Sequence, residues 1–414
     1  MERILVVEDN KGLAKIIARR ISDTLKFEVD IAHTLREAKL FLKKYNYFIA
    51  LLDLKLPDSS DGEIVDYVLS KDTRVIILSG TIDKEFRESM LKKNIIDYVN
   101  KSGIHDLHYI VQSIQRLKKN QQHEILVVDD SMIIRKHIQR LLENLQFNVL
   151  MAADGEEALE TIEKNPDISL VITDYHMPKM DGFKLIQEIR KIYKKEDLSV
   201  IALSSNSDSE INAMFLKHGA NDYITKPFSK EEFSCRINNT IEALENLHIV
   251  TRHANRDFLT SLYNRRYFFS NMNKYIKETL KEDKNYAIAM IDIDFFKKIN
   301  DTFGHDNGDN VIVELANILT SNTNQHDIVA RFGGEEFCIV LKDIDKAKAE
   351  SALNRLREKV EKTTLYSDKN EKICFTISIG AVMNSDKNLN ETIIQADSML
   401  YRAKQSGRNK VVFA

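Results

Sequence analysis

The sequence predicts an α/β protein with two tandem doubly wound parallel (βα)5 domains followed by a third α/β domain. Two observations predict the tandem part: an apolar strand followed by acidic residues recurs 121 positions later, and short apolar runs alternate with amphipathic helical stretches in both copies. Such alternation is typical of parallel doubly wound sheets. The third observation is a hairpin pattern with two glycines and two glutamates near residue 334, which indicates antiparallel strands in the last domain.

Composition limits the classes of protein to consider. The 414 residues, 43% of them hydrophobic, are enough for about three cores. A net charge of −3 gives no general basic field, so no nucleic-acid partner is expected. The three cysteines lie far apart without CxxC spacing, which argues against a disulfide framework or zinc site and fits a reducing compartment. No apolar run is long enough for a signal segment or membrane span, so the expected location is cytoplasmic, without membrane insertion.

The apolar runs of the first copy end in polar side chains, namely Glu8, Asp9, Asp53, Ser79 and Lys101. Because the carboxyl ends of parallel strands meet at one edge of a sheet, we expect these side chains to form one pocket. Three carboxylates in one pocket repel each other unless a cation such as Mg²⁺ lies between them. The pattern predicts a metal site beside a phosphorylatable aspartate.

The second copy repeats these positions as Asp129, Asp130, Asp174, Ser204 and Lys226. The acidic positions are displaced by 121 residues and the serine and lysine by 125, so a four-residue insertion lies between them. A repeat of this length and content indicates a duplicated domain.

On these residues both copies resemble response-regulator receiver domains, with expected boundaries at residues 1–122 and 123–247. The resemblance implies that Asp53 and Asp174 accept a phosphoryl group from a sensor histidine kinase or another phosphodonor. It also implies Mg²⁺ in both pockets, with the serines and lysines contacting the phosphoryl oxygens. Tyr98 and Tyr223 match the aromatic position that turns inward with the hydroxyl in that family.

The second copy is the closer match, with the run Asp174-Tyr175-His176-Met177-Pro178 through Asp181-Gly182 and with Lys226-Pro227, a dipeptide that the family usually holds in the cis form. The first copy has Lys101-Ser102 instead. Phosphorylation of Asp174 is therefore the firmer expectation. A dimerisation adaptor that is rarely phosphorylated is the alternative for the first copy.

An apolar series at spacings of three and four follows the second copy, comprising Phe233, Ile237, Ile241, Leu244 and Leu247 or His248. It predicts a helix whose first half packs on its own sheet and whose continuation forms a short dimer seam. Without Pro or Gly between residues 228 and 303, the connection is expected to transmit receiver arrangement rigidly.

Acidic residues recur at a strand end in the third domain, expected at residues 248–414. The run Ala287 to Ile291 leads into Asp292, and the hairpin supplies Glu335 and Glu336, which can converge with Asp292 if the strands are antiparallel neighbours. No Walker A sequence is present. Backbone N–H groups of Phe295, Phe296 and Lys297, where strand turns into helix, are the candidates for cradling phosphates.

This region resembles the GGDEF domain of diguanylate cyclases, with glutamate as the first acid of the motif. The resemblance rests on residues 257–266, 292–301, 303–309, the Gly333-Gly334-Glu335-Glu336-Phe337 hairpin and residues 396–409. It implies a mixed, largely antiparallel central sheet, and together with the receivers it implies a two-receiver diguanylate cyclase.

Residue roles follow from the resemblance. Asp292, Glu335 and the Ile293 carbonyl would bind Mg²⁺, with Glu336 at a second metal. Asn300 and Asp309 would read guanine and so select GTP, and Lys297 would neutralise phosphate charge. Lys404 and Arg408, four apart and expected on one helical face, would hold the triphosphate, whereas His305 would be structural or line the substrate.

The reaction implied is condensation of two GTP to cyclic di-GMP with release of two pyrophosphates, with Glu335 as the candidate base. Each domain holds one half-site, so a homodimer is required, and receiver phosphorylation would favour it. Product-inhibited relatives carry RxxD before the hairpin, but here the segment reads Asn324-Gln325-His326-Asp327, so weak or absent inhibition is expected. Two rival classes are a receiver-controlled module that binds nucleotide without catalysis and a DNA-binding regulator. The retained metal acids argue against the first, and the missing helix-turn-helix argues against the second.

Overall fold

The computed structural model describes residues 2–59, 62–80, 87, 89–90, 92–101, 104–205, 209–281, 285–324, 326–383 and 388–414. The chain divides into two compact units, Met1–Asn246 and Leu247–Ala414. The first unit contains two sheets, and residues 122 and 123 lie between them. Each unit is described by itself below.

The first sheet is parallel throughout. Its strands are Arg3–Val7 (β1), Glu28–Ala32 (β2), Ile49–Asp53 (β3), Arg74–Ser79 (β4) and Asp97–Asn100 (β5). They lie in the order β2-β1-β3-β4-β5. The described helices around them are Lys11–Leu25 (α1), Leu35–Lys44 (α2), Glu63–Leu69 (α3) and Ile104–Asn120 (α4). The apolar residues of the three central strands are fully buried, as expected for a sheet covered on both faces.

The second sheet repeats this topology. Its strands are Glu124–Val128 (β6), Asn148–Ala152 (β7), Ile168–Asp174 (β8), Ser199–Ser204 (β9) and Asp222–Thr225 (β10). They lie in the order β7-β6-β8-β9-β10 and are all parallel. The helices are Met132–Asn144 (α5), Gly155–Lys164 (α6), Gly182–Ile192 (α7), Ser209–Lys217 (α8) and Lys230–Asn255 (α9). The predicted pair of doubly wound parallel sheets is confirmed.

The two sheets of the first unit share apolar and ionic contacts. One buried apolar cluster contains residues of both domains. Glu245 on α9 accepts hydrogen bonds from Arg116 Nη1 and Nη2 at 2.9 and 2.6 Å, and its Oε1 lies 2.8 Å from His123 Nε2. Burial alone would raise the pKa of Glu245, but Arg116 and His123 outweigh it and lower that pKa to about 2. Helix α4 is thereby tied to α9.

Helix α9 changes character along its length. Phe233, Ile237, Thr240, Ile241 and Leu244 are buried, which confirms that its first half packs on the second sheet. Leu247, Ile249 and Val250, at the next turns, are exposed. The use of this exposed stretch as a dimer seam stays a prediction.

The second unit has a six-stranded mixed sheet. Its strands are Tyr263–Asn264 (β11), Tyr286–Ile293 (β12), Ile328–Gly333 (β13), Glu336–Lys342 (β14), Ile377–Met383 (β17) and Val411–Phe413 (β18), in the order β11-β13-β14-β12-β17-β18. A separate two-stranded hairpin comprises Thr364–Tyr366 (β15) and Lys372–Cys374 (β16). The three pairings among β13, β14, β12 and β17 are antiparallel and the two outer pairings are parallel, as the resemblance implied.

Helices cover both faces of this sheet. They are Arg265–Lys281 (α10), Phe296–Phe303 (α11), His305–Ser321 (α12), Lys346–Lys362 (α13) and Leu389–Gln405 (α14). The residues of β12 are all buried, because this strand lies in the middle of the sheet with α14 packed against it. The carboxyl end of this central strand carries the acidic residues of the site. None of the helices in the described ranges combines the length and apolar character needed to span a membrane.

Candidate active site and receiver pockets

The hairpin between β13 and β14 places two glutamates beside the end of β12. Gly333 and Gly334 form its turn with φ of 149° and 51°, and the register shifts at a bulge between Arg331 and Gly333. Positive φ is easily reached by glycine, which explains the pair of glycines at this turn. Glu335 is half-buried and Glu336 is exposed. The predicted hairpin is therefore present, with acid at its turn.

Asp292 lies opposite Glu336 in the antiparallel pairing of β12 with β14. Its side chain is nearly buried, and Oδ2 lies 2.7 Å from Lys404 Nζ. Burial raises the pKa of Asp292 to about 6, against the lowering effect of Lys404, and the charges of Glu335 and Glu336 raise it further. Among the described residues, the carboxylates of Asp292, Glu335 and Glu336 do not all come within 4.8 Å of one another, but Asp292 is buried and feels the charge of both glutamates, an environment that favours a bound cation.

The acids of this hairpin region fit a magnesium site in their chemistry. Asp292 and Glu335 supply carboxylate oxygens, which are the ligands that Mg²⁺ prefers. Burial is the main cause of the raised pKa of Asp292 and the charges of Glu335 and Glu336 add to it, and a bound metal would offset both effects. Lys404 supplies positive charge to Asp292 in the present arrangement.

Arg331 links the turn of the hairpin to Asp257. Its Nε and Nη2 donate to the Gly334 carbonyl at 3.0 and 2.8 Å, and Nη1 donates to Asp257 at 2.8 Å. Arg331 is only 9% exposed, whereas Asp257 is half-buried and Gly334 is exposed, so the guanidinium is shielded from water more than its acceptors are. Sequence reasoning missed this role, since the two charged partners are 74 residues apart and no local spacing connects them.

Asp294 anchors the turn that follows β12. Its carboxylate accepts hydrogen bonds from Thr376 Oγ1 and Ser378 Oγ, both at 2.7 Å, and from the backbone N–H of Asn409 at 3.0 Å. No role for Asp294 was predicted from the sequence. Its position two residues after Asp292, on the same side of the strand, was the signal that could have found it.

The turn itself places aromatic and basic groups together. Phe295 adopts φ of 56° and α11 begins at Phe296, so the amides of Phe296 and Lys297 stand in the first turn of a helix, where N–H groups lack intrahelical acceptors. The Arg408 guanidinium lies 4.4 Å from the centre of the Phe295 ring. Phe295 and Lys297 are exposed, Phe296 is half-buried, and the Ile293 side chain is buried.

The expectation that Lys404 and Arg408 share one helical face is wrong. Helix α14 ends at Gln405, Gly407 has φ of 111° and Arg408 has φ of 62°, so the chain leaves the helix before Arg408. A left-handed glycine just after a helix is a common way to end it. Arg408 nevertheless approaches the strand-to-helix turn through Phe295.

Asn300 is held against helix α12 with an unused acceptor. Its Oδ1 is buried without a hydrogen-bond partner in the described part of the chain. A Cβ at Gly308 would lie 1.8 Å from this oxygen, so glycine is needed for the two helices to approach. Asp309, the next residue, is exposed, as is His305 at the start of α12. A buried acceptor beside an exposed carboxylate is suited to a ligand with N–H donors.

The first receiver pocket gathers its predicted residues. Lys101 Nζ lies 2.9 Å from Glu8 Oε2 and 2.6 Å from Asp53 Oδ2. Glu8, Asp9 and Asp53 each place a carboxylate oxygen within 4.8 Å of the others, an arrangement that could hold a metal ion. Burial raises the pKa of Glu8 despite the opposing effect of Lys101. Ser79 is buried at the end of β4, and Ser102 lies outside the described residues.

The second pocket has the same lysine contacts. Lys226 Nζ lies 3.0 Å from Asp129 and 2.6 Å from Asp174, and the following Lys226-Pro227 bond is cis, as the resemblance implied. The three carboxylates do not reach the mutual 4.8 Å found in the first pocket, as far as the described residues show. Asp129 is one methylene shorter than Glu8, which gives a physical reason. Asp130 is exposed and Ser204 is buried.

The aromatic positions differ between the copies. Tyr98 is buried, whereas Tyr223 is half-buried with the Arg236 guanidinium 5.9 Å from its ring centre. The two domains therefore hold this position in different surroundings.

In the segment before the hairpin, the carboxylate of Asp327 accepts hydrogen bonds from backbone amides. Asp327 accepts from the amides of Asn324 and Lys342 at 2.7 and 2.9 Å. Gln325 lies outside the described residues. Asp327, the acid that remains of the RxxD motif, therefore stabilises the turn at Asn324 and the last residue of β14.

Two receiver-like domains with acid and lysine pockets, followed by a mixed-sheet domain with a Gly-Gly-Glu-Glu hairpin, define a two-component response regulator with a nucleotide-type output domain. The family model for response regulator receiver domains matches residues 4–112 and 125–238, more than half of the chain, so the chain belongs to that family. The model described as diguanylate cyclase, GGDEF domain, matches residues 254–410.

Individual relatives match parts of the chain. The response regulator PleD of Caulobacter vibrioides is 32% identical over 298 residues, which is 70% of this chain and 65% of that protein. Diguanylate cyclase A of Treponema denticola is 40% identical over 163 residues, 38% of this chain and 44% of that protein. A solved structure of a two-component response regulator/GGDEF domain protein is 38% identical, with a TM-score of 0.53, and covers 59% of this chain and 100% of that one.

Proposed function

We propose that this chain is a phosphorylation-controlled diguanylate cyclase that condenses two GTP to cyclic di-GMP and two pyrophosphates as a homodimer. The observation that carries the proposal is Asp292, a nearly buried carboxylate placed directly opposite Glu336 of the Gly-Gly-Glu-Glu hairpin. It lies in the region that matches the diguanylate cyclase model. The similarity to diguanylate cyclase A supports this activity, and the similarity to the response regulator PleD supports control by receivers.

Asp292, Glu335 and the Ile293 carbonyl would hold Mg²⁺, with Glu336 assisting at a second ion. Bound there, Mg²⁺ would supply Lewis-acid stabilisation of charge on the triphosphate. The residues fit this role because burial and neighbouring acids raise the pKa of Asp292.

Lys404 would change partners when substrate binds. Its Nζ is 2.7 Å from Asp292, and it is one-third exposed, so it is free to swing toward a triphosphate once another cation neutralises Asp292. Arg408 on the Phe295 ring and Lys297 in the first turn of α11 would meet the same phosphates. The amides of Phe296 and Lys297 complete an anion-binding turn.

Guanine would be read by Asn300 and Asp309. The unpartnered Asn300 Oδ1 can accept from a ring N–H donor, and the Asp309 carboxylate accepts from neighbouring donors of the base edge. Adenine offers no donors at the equivalent edge positions, so this pair favours GTP over ATP. His305, exposed on the same helix, would line the substrate.

In the reaction, the 3′-hydroxyl of one GTP would lose its proton to Glu335 and attack the α-phosphorus of the other GTP. Pyrophosphate would leave as the bond between the α-phosphorus and its bridging oxygen breaks. The 3′-hydroxyl of the second nucleotide would then attack the α-phosphorus of the first in the same way and close the ring. Because one domain carries one half-site, two copies must face each other. The exposed Leu247, Ile249 and Val250 of α9 are candidates for the seam that brings them together.

The receivers would control this pairing. Asp53 and Asp174 would accept phosphoryl groups from a sensor kinase or another donor, with Mg²⁺ held by the acids beside them and with Lys101 and Lys226 contacting the phosphoryl oxygens. The hydroxyl groups of Ser79 and Ser204 would move toward the phosphoryl group. A cytoplasmic location fits this chemistry, which uses GTP and a kinase.

The test is incubation of the purified chain with GTP and Mg²⁺, with and without beryllofluoride as a phosphoryl mimic. Cyclic di-GMP should form, and faster with beryllofluoride. Asp174→Asn should remove most of the stimulation by beryllofluoride. The loss of stimulation in Asp53→Asn measures how much of it comes from the first receiver pocket. Binding of GTP without any product in either condition would instead favour the non-catalytic binding module.

A further inference from the structure

A cleft lies between the two receiver domains, away from both phosphoryl pockets. It has a volume of about 1210 Å³ and is lined by the start of β4 and residues 92–94 of the first domain. The other wall is the end of α5, the start of β7 and the segment that enters α9. This volume exceeds the roughly 1,000 Å³ of a large ligand pocket, so a small organic molecule fits.

Positive charge dominates the walls. Two acidic side chains, Asp72 and Glu143, face five lysine or arginine side chains: Arg74, Lys92, Lys93, Arg140 and Lys230. Lys93 is paired with Asp66 at 2.6 Å, outside the cleft lining. Cations collected from four separate elements give a local field that the whole chain, at −3, does not have.

Two of these cations are partly desolvated. Arg74 and Lys230 are both half-buried, and burial lowers the pKa of each. Neither forms a salt bridge with a carboxylate in the described ranges; Lys230 Nζ donates to the Ile95 carbonyl at 2.5 Å, and Arg74 Nε lies 2.7 Å from the Gln146 amide oxygen when that amide is turned to accept. The charge of Asp72 offsets part of the burial effect on Arg74, and that of Asp97 offsets part of the effect on Lys230. A half-buried cation whose hydrogen-bond partners are neutral is still less stable than in water, and an anion in the cleft would reduce that penalty.

The remaining lining is mostly polar and aromatic, with Leu69 and Leu141 as its aliphatic residues. Amide side chains of Gln121, Asn144 and Gln146 stand beside the rings of Phe147 and Phe228. Asn144 Nδ2 donates to the same Ile95 carbonyl as Lys230, which places the amide and ammonium groups together. Amides with aromatic faces beside a cationic wall match a ligand with anionic and heterocyclic parts.

We propose that this cleft between the receiver domains binds a ligand with a polyphosphate chain, held by Arg74 and Lys230 and assisted by Arg140 and Lys92. The ligand is either inorganic polyphosphate or a nucleoside polyphosphate, since the phosphate chain is the chemistry the cations recognise. Binding there would stabilise the packing of the two receivers because both walls contribute contacts. The site does not depend on the proposed enzymatic activity.

Site-specific lysine labelling of the intact chain tests the proposal. Acetic anhydride at neutral pH modifies the neutral amine, and the lowered pKa of Lys230 makes this residue a suitable reporter. Inorganic tripolyphosphate and ATP are added in separate arms, with sodium sulfate at equal ionic strength as the reference. Peptide mass spectrometry then compares Lys230 with Lys136, an exposed lysine on α5 that is not part of the lining.

Tripolyphosphate, ATP or both should slow the labelling of Lys230 several-fold and leave Lys136 unchanged. Protection by ATP alone would assign a nucleoside polyphosphate, and equal protection by tripolyphosphate would show that the phosphate chain suffices. In Arg74→Gln, the concentration giving half-protection should rise about tenfold, the usual effect of one charge-assisted contact. The matched Lys136→Gln variant should leave it unchanged.

Two results would overturn the proposal. One is labelling of Lys230 in the unaltered chain that neither polyphosphate slows beyond the sulfate reference. The other is protection with the same half-saturating concentration in Arg74→Gln and in Lys136→Gln. The first result needs no variant, so misfolding of Arg74→Gln does not affect the test.

Discussion

Gly308→Ala should weaken GTP binding without unfolding the output domain. A glycine-to-alanine change inside a helix ordinarily stabilises it by about 1 kcal/mol. Here the new Cβ would lie 1.8 Å from Asn300 Oδ1, far inside the contact distance, so Asn300 must move by more than an ångström. Misplacing one hydrogen-bonding partner of guanine costs about 1–2 kcal/mol, or roughly five- to thirtyfold in affinity.

The assay is calorimetric titration of GTP into both proteins, together with their thermal unfolding. Asn310→Ala, an exposed position on the same helix, is the matched control and should bind GTP like the unaltered chain. Discrimination between GTP and ATP should fall along with GTP affinity in Gly308→Ala. Unchanged GTP affinity and selectivity would refute the assignment of Asn300 to the base.

Three further predictions concern other parts of the chain. Arg331→Gln should lower the stability of the output domain by about 1–3 kcal/mol in thermal unfolding, since it removes the charged bridge between Asp257 and the Gly334 carbonyl, whereas exposed Arg355→Gln should change little. Glu245 has a folded pKa of about 2, below its ordinary 4.5, so its stabilisation is complete above about pH 4.5 and fades as the pH falls toward 2. Urea unfolding between about pH 2 and pH 7 should show a free energy of unfolding about 2 kcal/mol lower for Glu245→Gln than for the unaltered chain at neutral pH, and the two values should converge at low pH. Added cyclic di-GMP should inhibit the native enzyme weakly and Asn324→Arg more strongly; sub-micromolar inhibition of the native enzyme that Asp327→Ala abolishes would contradict this.

The sheets and their acidic edges were predictable because their signals are local. Four consecutive buried apolar residues before Glu8, repeated before Asp129, specify a central parallel strand, and the carboxyl ends of such strands must share an edge. The hairpin was predictable for a similar reason, since two glycines between apolar runs leave few other structures.

Long-range partners were not predictable in the same way. The bond between Arg331 and Asp257 joins residues 74 apart, and nothing near either residue marks the other. The end of α14 before Arg408 was missed because helical spacing was continued through Gly407, whose φ of 111° ends the helix. The ion pair of Lys404 with Asp292 depends on how α14 packs on β12, which composition and spacing do not determine.

The central claim is that two facing half-sites condense GTP, and the dependence of activity on protein concentration tests it most directly. Cyclic di-GMP and pyrophosphate should form from GTP and Mg²⁺ in a ratio of one to two. The activity per chain should rise as light scattering shows dimers replacing monomers, and Glu335→Gln should abolish both products. Cyclic di-GMP formation at constant activity per chain by a protein that stays monomeric would contradict the account.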